Sequence, residues 1–396
     1  MVPPRWVRRV VLGPVVPVLT VLLLTSLPVT AIAAAFASRW LPGRWRPLRL
    51  LWFLLVFLVV ESLTLIGLLG LWLLTGFGRR ARQSRWQAAH YALMCWYLRT
   101  LIRSAERRFH VRVDADLDDA RLPSAGERVV AAAAKAEVYV GPDPEPSAAE
   151  PESVRPPLIV LSRHAGPGDS FLLVHALLEL RYRPRIVLRG ALRWAPVIDV
   201  ALHRVPSHFL DPRAPAGSGT RAVTAMASRL DPGDALVVFP EGRNFTPERR
   251  LHSITRLDEL GDHQAAEDAR ELRHVLAPRP GGTLAALDAA PDADVVFVAH
   301  SGLEDLSGIV DLWRGLPMDT AVEVKVWRVP AAEVPRVRAA REAWLAWWWR
   351  RIDAWLVERH GEQAVPDAVV AAVHDDAPPD PDGDVVRDDS GPVGPW

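Results

Sequence analysis

Cysteine is almost absent: Cys95 is the only one in 396 residues, so no intrachain disulfide can form, which suits a reducing compartment. Pairs of Cys and His at zinc spacing are missing too. His203 and His208 stand five apart around Pro206, a poor ligand geometry. An excess of positive charge is also lacking. Lys and Arg together number 47 and so do Asp and Glu, so no net basic field draws the chain to nucleic acid. What the chain does have is long apolar sequence near its start and short, buried-looking apolar runs after it.

Arg5, Arg8 and Arg9 precede an apolar run from Val10 to Ala37, and a second run covers Leu50 to Phe77. Each is long enough to span a bilayer. Ala33, Ala34 and Ala35 resemble a signal-peptide cleavage region, but the first run exceeds an ordinary signal core and another follows closely. Arg39, Arg44, Arg46 and Arg49 lie between the runs, and Arg79, Arg80 and Arg82 follow them. Positive charge on every side gives no orientation. A hairpin entering from the cytoplasmic face resolves the conflict, with Trp40, Trp45 and Trp52 at the headgroups; two full spans are the alternative. In both, the chain returns to its starting side. Glu61 inside the second run is either a functional intramembrane carboxylate or, more simply, a protonated or snorkelling one.

The organisation expected is a membrane anchor over 1–81, then an amphipathic helix, a strand at Phe109–Val113 and a Pro-rich linker over 82–157. A central domain covers 158–330, a Trp-rich helix 331–362 and an acidic disordered tail 363–396. Within 158–330 strands near Leu158–Ser162, Arg185–Leu188, Ala235–Phe239, Asp294–Val298 and Ala321–Val329 alternate with helical runs such as Ser170–Tyr182 and Thr220–Leu230. That alternation argues an α/β fold, a mixed sheet flanked by helices. The Trp344, Trp348, Ile352 and Trp355 stripe either packs on this domain or touches lipid, packing being the simpler reading.

The chemistry-bearing stretch is Leu158 to Asp169, where a buried-strand run ends in Ser162-Arg-His-Ala-Gly-Pro-Gly-Asp169. On one continuous helix His164 and Asp169 would point roughly 140° apart. A strand end, a Gly-Pro-Gly turn and a helix from Ser170, with Asp169 as its cap, instead fold the carboxylate back on the imidazole. That pairs a base with its orienter. A second run, Ala235 to Phe239, ends in Pro240-Glu-Gly-Arg-Asn-Phe-Thr246, a polar cluster fit for a site at a sheet edge.

Together these blocks resemble the glycerophosphate and lysophospholipid acyltransferase superfamily, marked by His-x4-Asp and, downstream, Phe-Pro-Glu-Gly-Thr-Arg. His274 to Gly282 resembles a third block, found in the lysophosphatidate and lysocardiolipin acyltransferase branch. The resemblance implies acyl transfer from acyl-CoA or acyl-carrier protein to a glycerolipid hydroxyl, with no cofactor beyond that co-substrate. Lysophosphatidate is the first-choice acceptor; another lysophospholipid, a glycolipid, or lipid binding without catalysis are the alternatives. His164 would be the general base and Asp169 its orienter. Glu241, Gly242 and Arg243 would line the acceptor site, with Arg213 and Arg279 as further cations. The sequence departs from the pattern at Arg163, where Asn is common, and at Pro280-Gly281, where Thr-Lys is. It departs again at Arg243-Asn244, which places the cation one residue early. The partners implied are the bilayer, the acyl donor and the acceptor, with the catalytic part on the cytoplasmic side of the cell membrane.

Overall fold

A computed structural model describes residues 2–41, 45–109, 111–116, 155–211, 213–303 and 321–360. The acidic tail from Pro366, most of the Pro-rich linker and Arg44 lie outside the described residues. Among the described residues, seven strands form one sheet in the order β1-β7-β6-β2-β5-β3-β4. They are β1 (Arg112–Asp116), β2 (Leu158–Ser162), β3 (Arg183–Arg189), β4 (Ser207–Leu210), β5 (Asp234–Val238), β6 (Asp294–Ser301) and β7 (Ala321–Val329). Neighbours run parallel except β6 and β7, so the sheet is mixed.

β2, β5 and β6 are buried along their whole lengths, as continuous apolar runs covered on both faces should be. Helix α4 (Pro167–Glu179) lies over the face carrying Leu158, Val160, Val237, Val296 and Val298. The opposite face carries Ile159, Leu161, Leu236, Phe297 and Ala299. It is covered by α6 (Ser218–Ala227), α9 (Pro280–Ala289) and α10 (Arg338–His360). Trp349, Ile352 and Leu356 of α10 are fully buried there, and Trp348 stacks on Phe297 with ring centroids 4.3 Å apart. The Trp-rich stripe therefore packs on the sheet.

Beyond α4 come α3 (Ser84–Phe109) and α2 (Arg46–Leu74), sharing a core with α5 (Pro196–Leu202), and α1 (Gly13–Ala37) packs on α2 outside it. α1 and α2 are long and apolar enough to cross a membrane. They are tied at Thr20, whose hydroxyl lies 2.7 Å from Ser62 Oγ and donates to the Leu58 carbonyl at 3.0 Å.

The strands fall close to their expected places, with three local differences. The strand expected over Phe109–Val113 begins at Arg112, because α3 continues to Phe109, which buries its ring against Phe53 at 4.9 Å. β4 was not foreseen; four residues on an edge leave too little alternation to read. The helix expected from Ser170 starts at Pro167, so Asp169 stands in its first turn and is not the N-cap. Gly166 is the extended N-cap, and Pro at the first helical position loses no hydrogen bond.

Candidate active site

β2 is the middle strand, and the chain leaves it for β3 on one side but reaches β6 on the other. The crevice past the carboxyl end of such a strand is where open α/β sheets gather function. His164 emerges there. Its Nδ1 lies 2.8 Å from Asp169 Oδ2, and the same oxygen accepts the Ala165 N–H at 2.9 Å and the Gly166 N–H at 3.1 Å. Asp169 Oδ1 accepts the Ser170 hydroxyl at 3.0 Å. Burial alone would raise this carboxyl's pKa. His164, His300 and the Gly166 N–H outweigh that and hold it below its ordinary value. Asp169 thus stays charged, Nδ1 of His164 carries the hydrogen, and Nε2 is left as a base. The His164 ring keeps 25% of its side chain exposed and lies on Phe239, centroids 4.6 Å apart. The expected pair is therefore brought together by the strand end, the turn and the helix's first turn.

Glu241 was expected to line an acceptor site, but it lies beneath the surface, 1% exposed. Its Oε1 accepts the His164 N–H and its Oε2 the Leu276 N–H, both at 2.9 Å. Burial pushes its pKa up to about 7 against the pull of Arg163. The Phe245 N–H returns the tie to the His164 carbonyl at 2.6 Å. The two sequence blocks are thus one hydrogen-bonded unit, and Glu241 acts as its clamp. Gly242 turns the chain, its N–H on the Phe239 carbonyl at 3.0 Å and its φ at +72°, a conformation that favours glycine.

Arg163, also a departure from the family pattern, is 1% exposed and structural. Its guanidinium donates to the His300 carbonyl at 2.6 Å and the His274 carbonyl at 3.1 Å. Asp353 of α10 holds the same loop by accepting the Arg273 and His274 N–H groups.

Arg279 lies over Gly242: its side-chain atoms stand 3.6–3.8 Å from where a Cβ on that glycine would sit, and its N–H binds the Pro240 carbonyl. Partial desolvation, then the like charges of Arg243 and Arg256, hold its pKa below the usual value. Arg243 and Arg256 thus act electrostatically on Arg279, which stands over the turn that clamps His164. Arg256, on α7 (Pro247–Glu259) ahead of α8 (His263–Glu271), was not foreseen, since nothing in a helical Arg distinguishes it from a solvated charge. Asn244 turns instead to Arg249, whose guanidinium binds its side-chain oxygen and, at 3.2 Å, its carbonyl. Arg213 is exposed past the end of β4, three strands from β2, which is about 14 Å by strand spacing. The sheet does not bring it to the pair.

Among the described residues, Cys95, His175 and Glu179 lie close enough together to hold a metal ion. Arg99 donates to both oxygens of that Glu179, at 2.6 and 2.8 Å, so a cation there would compete with a guanidinium. Glu61 accepts the Tyr97 hydroxyl at 2.8 Å and the Val197 N–H at 3.1 Å, so it joins α2 to α3 and to the start of α5.

A model of the acyltransferase family matches residues 145–299, the stretch that holds β2 to β5, most of β6 and the two sequence blocks clamped around His164. These residues form an acyltransferase-family domain. No curated protein and no solved structure matched the chain.

Proposed function

We propose that this protein is a membrane-attached O-acyltransferase that moves a fatty acyl group from acyl-CoA or acyl-carrier protein to a lysophospholipid hydroxyl. Its first-choice acceptor is 1-acylglycerol-3-phosphate, and its product phosphatidic acid. The observation that carries the reading is the 2.8 Å contact between His164 Nδ1 and buried Asp169, with Arg279 over the neighbouring Gly242 turn. The neutral imidazole takes the acceptor's hydroxyl proton at Nε2 as that oxygen attacks the thioester carbonyl. The tetrahedral intermediate collapses with loss of the C–S bond, and the proton passes from Nε2 to the departing thiolate. Ester and free thiol leave, and no acyl-enzyme is required. Arg243, Arg256 and Arg279 favour a phosphate-bearing acceptor, since a guanidinium fork matches phosphate oxygens.

His164→Ala should abolish thioester consumption by the purified full-length protein with lysophosphatidate present. Asp169→Asn should cut turnover by about 10⁴-fold, as loss of the orienting carboxylate does in a Ser-His-Asp triad. A folded His164→Ala protein with unchanged turnover would falsify the mechanism. Attachment rests on α1, which exposes Val18, Leu22, Val29, Ile32 and Phe36 along its length. We place it, with α2, in the cell membrane and the domain on the cytoplasmic side.

A further inference from the structure

Asp169 touches a second imidazole that belongs to neither sequence block. His300 stands near the end of β6, directly beside β2, and one residue past the family match. Side chains alternate along a strand, and Val296, Val298 and His300 fall on the face that α4 covers. Asp169 in the first turn of α4 therefore lies between His300 of β6 and His164, just past the end of the adjacent parallel β2. His300 is 5% exposed, and its Nε2 lies 3.3 Å from the Arg163 carbonyl and 3.7 Å from Asp169 Oδ2. Both neighbours are oxygens that only accept, so Nε2 carries the hydrogen.

We infer that His300 is a positioning residue for the His164–Asp169 pair. Its Nε2–H holds the carbonyl immediately before His164 and faces the oxygen that receives the His164 Nδ1–H. The inference rests on the acyl-transfer reading above. Two consequences separate it from a role in packing. Losing the donor disturbs the orientation of the base, so kcat falls while acceptor and donor KM change little. A side chain that puts an amide N–H where Nε2 lies should restore the function, whereas one that only fills the space should not.

His300→Gln supplies that N–H; His300→Phe fills the ring's volume without it. Both are measured as full-length protein in detergent, with thermal melting to register folding and His164→Ala as reference. The expected result is a kcat loss of about tenfold or more in His300→Phe, both KM values within about twofold, and His300→Gln within about threefold of wild type. If His300→Phe does not fold, His300→Leu takes its place, and His300→Gln alone still decides. A folded His300→Gln protein that loses kcat by the same factor overturns the inference, as does wild-type kcat in a folded Phe or Leu variant. His164→Ala keeps the two readings apart: turnover surviving there removes the acyl-transfer mechanism itself. Turnover lost in His164→Ala and untouched in His300→Phe removes the positioning role alone.

Discussion

Two buried carboxylates flank His164 and are pushed in opposite directions, one holding its ring and the other its backbone. Asp169 is held below its ordinary pKa, so its contribution to stability is present at neutral pH and is lost as pH falls through its folded pKa. Glu241 is raised from 4.5 to about 7. The folded state binds its proton more tightly than the unfolded chain, so its contribution is full below pH 4.5 and is lost as pH rises through 7. A shift of that size is worth on the order of 3 kcal/mol. Glu241→Gln removes the titration, so wild type should lose melting temperature relative to this variant between pH 4.5 and 7. Parallel melting curves across that window would remove Glu241 as the titrating group. The variant also sets an amide NH₂ against one backbone N–H, so it should melt lower than wild type at pH 4.5 and turn over more slowly. Where the acceptor site is proposed, Arg243 acts electrostatically on Arg279, which stands over the Gly242 turn. A charge-assisted contact with phosphate is worth about 1.5–3 kcal/mol. Arg243→Ala should raise KM for lysophosphatidate roughly ten- to a hundredfold and leave that for the acyl donor unchanged. Unchanged lysophosphatidate kinetics would exclude phosphate contact through Arg243.

At the scale of elements, what could be read from sequence was whatever depends on local pattern. The five strands from Leu158 onward were legible because an apolar β-branched run needs only its own residues to declare itself. The His164–Asp169 approach was legible because Gly-Pro-Gly rules out the continuous helix that would part them. Long-range pairings were not. That Glu241 faces inward follows from its meeting backbone donors at 164 and 276, which no spacing encodes. His300 carried a faint signal, being the next inward position after Val296 and Val298, but alternation alone gives a polar residue no partner. Glu61 is similar: an apolar helix announces a lone carboxylate, and only packing reveals that Tyr97 and Val197 receive it. Glu61→Leu leaves that hydroxyl and that N–H buried without their acceptor, at about 1–3 kcal/mol each. The variant should melt several degrees lower in detergent while leaving KM for both substrates near wild type. An unchanged melting temperature would mean that α2 docks through apolar contact alone.

For the whole molecule, the packing of α3 on α2 bears on how the protein meets the bilayer. The two helices run side by side in opposite directions. Gly67 meets Leu93, Glu61 meets Tyr97, Phe53 meets Phe109, and Arg49 donates to the Arg108 carbonyl at 2.6 Å. α3 therefore accompanies α2 from its last third almost to its start, and exposes Arg103, Arg107 and Arg108. If α2 stood upright through the hydrocarbon, Arg103 would travel in with it, at up to roughly 2.5–3.5 kcal/mol near the centre, while Arg107 and Arg108, level with Arg49, would stay at the headgroups. Laying the hairpin along one leaflet avoids that cost. α1, the outermost helix and little buried, then faces the acyl chains while α3 stays at the headgroups with its arginines. The helical turn that leads into α1, Val7–Leu12, supports the same arrangement, since its Arg8 reaches back to Asp199 of α5 at 3.0 Å, which keeps that end against the domain. The prediction is that the link between α1 and α2 never crosses the membrane. Trp40 is exposed beside this link, and Trp40→Cys in a Cys95→Ser background places one thiol there. In intact cells that thiol should resist an impermeant maleimide, and it should react once the membrane is opened. Labelling from outside before opening would establish two full spans and require α3 to leave α2 when the protein inserts.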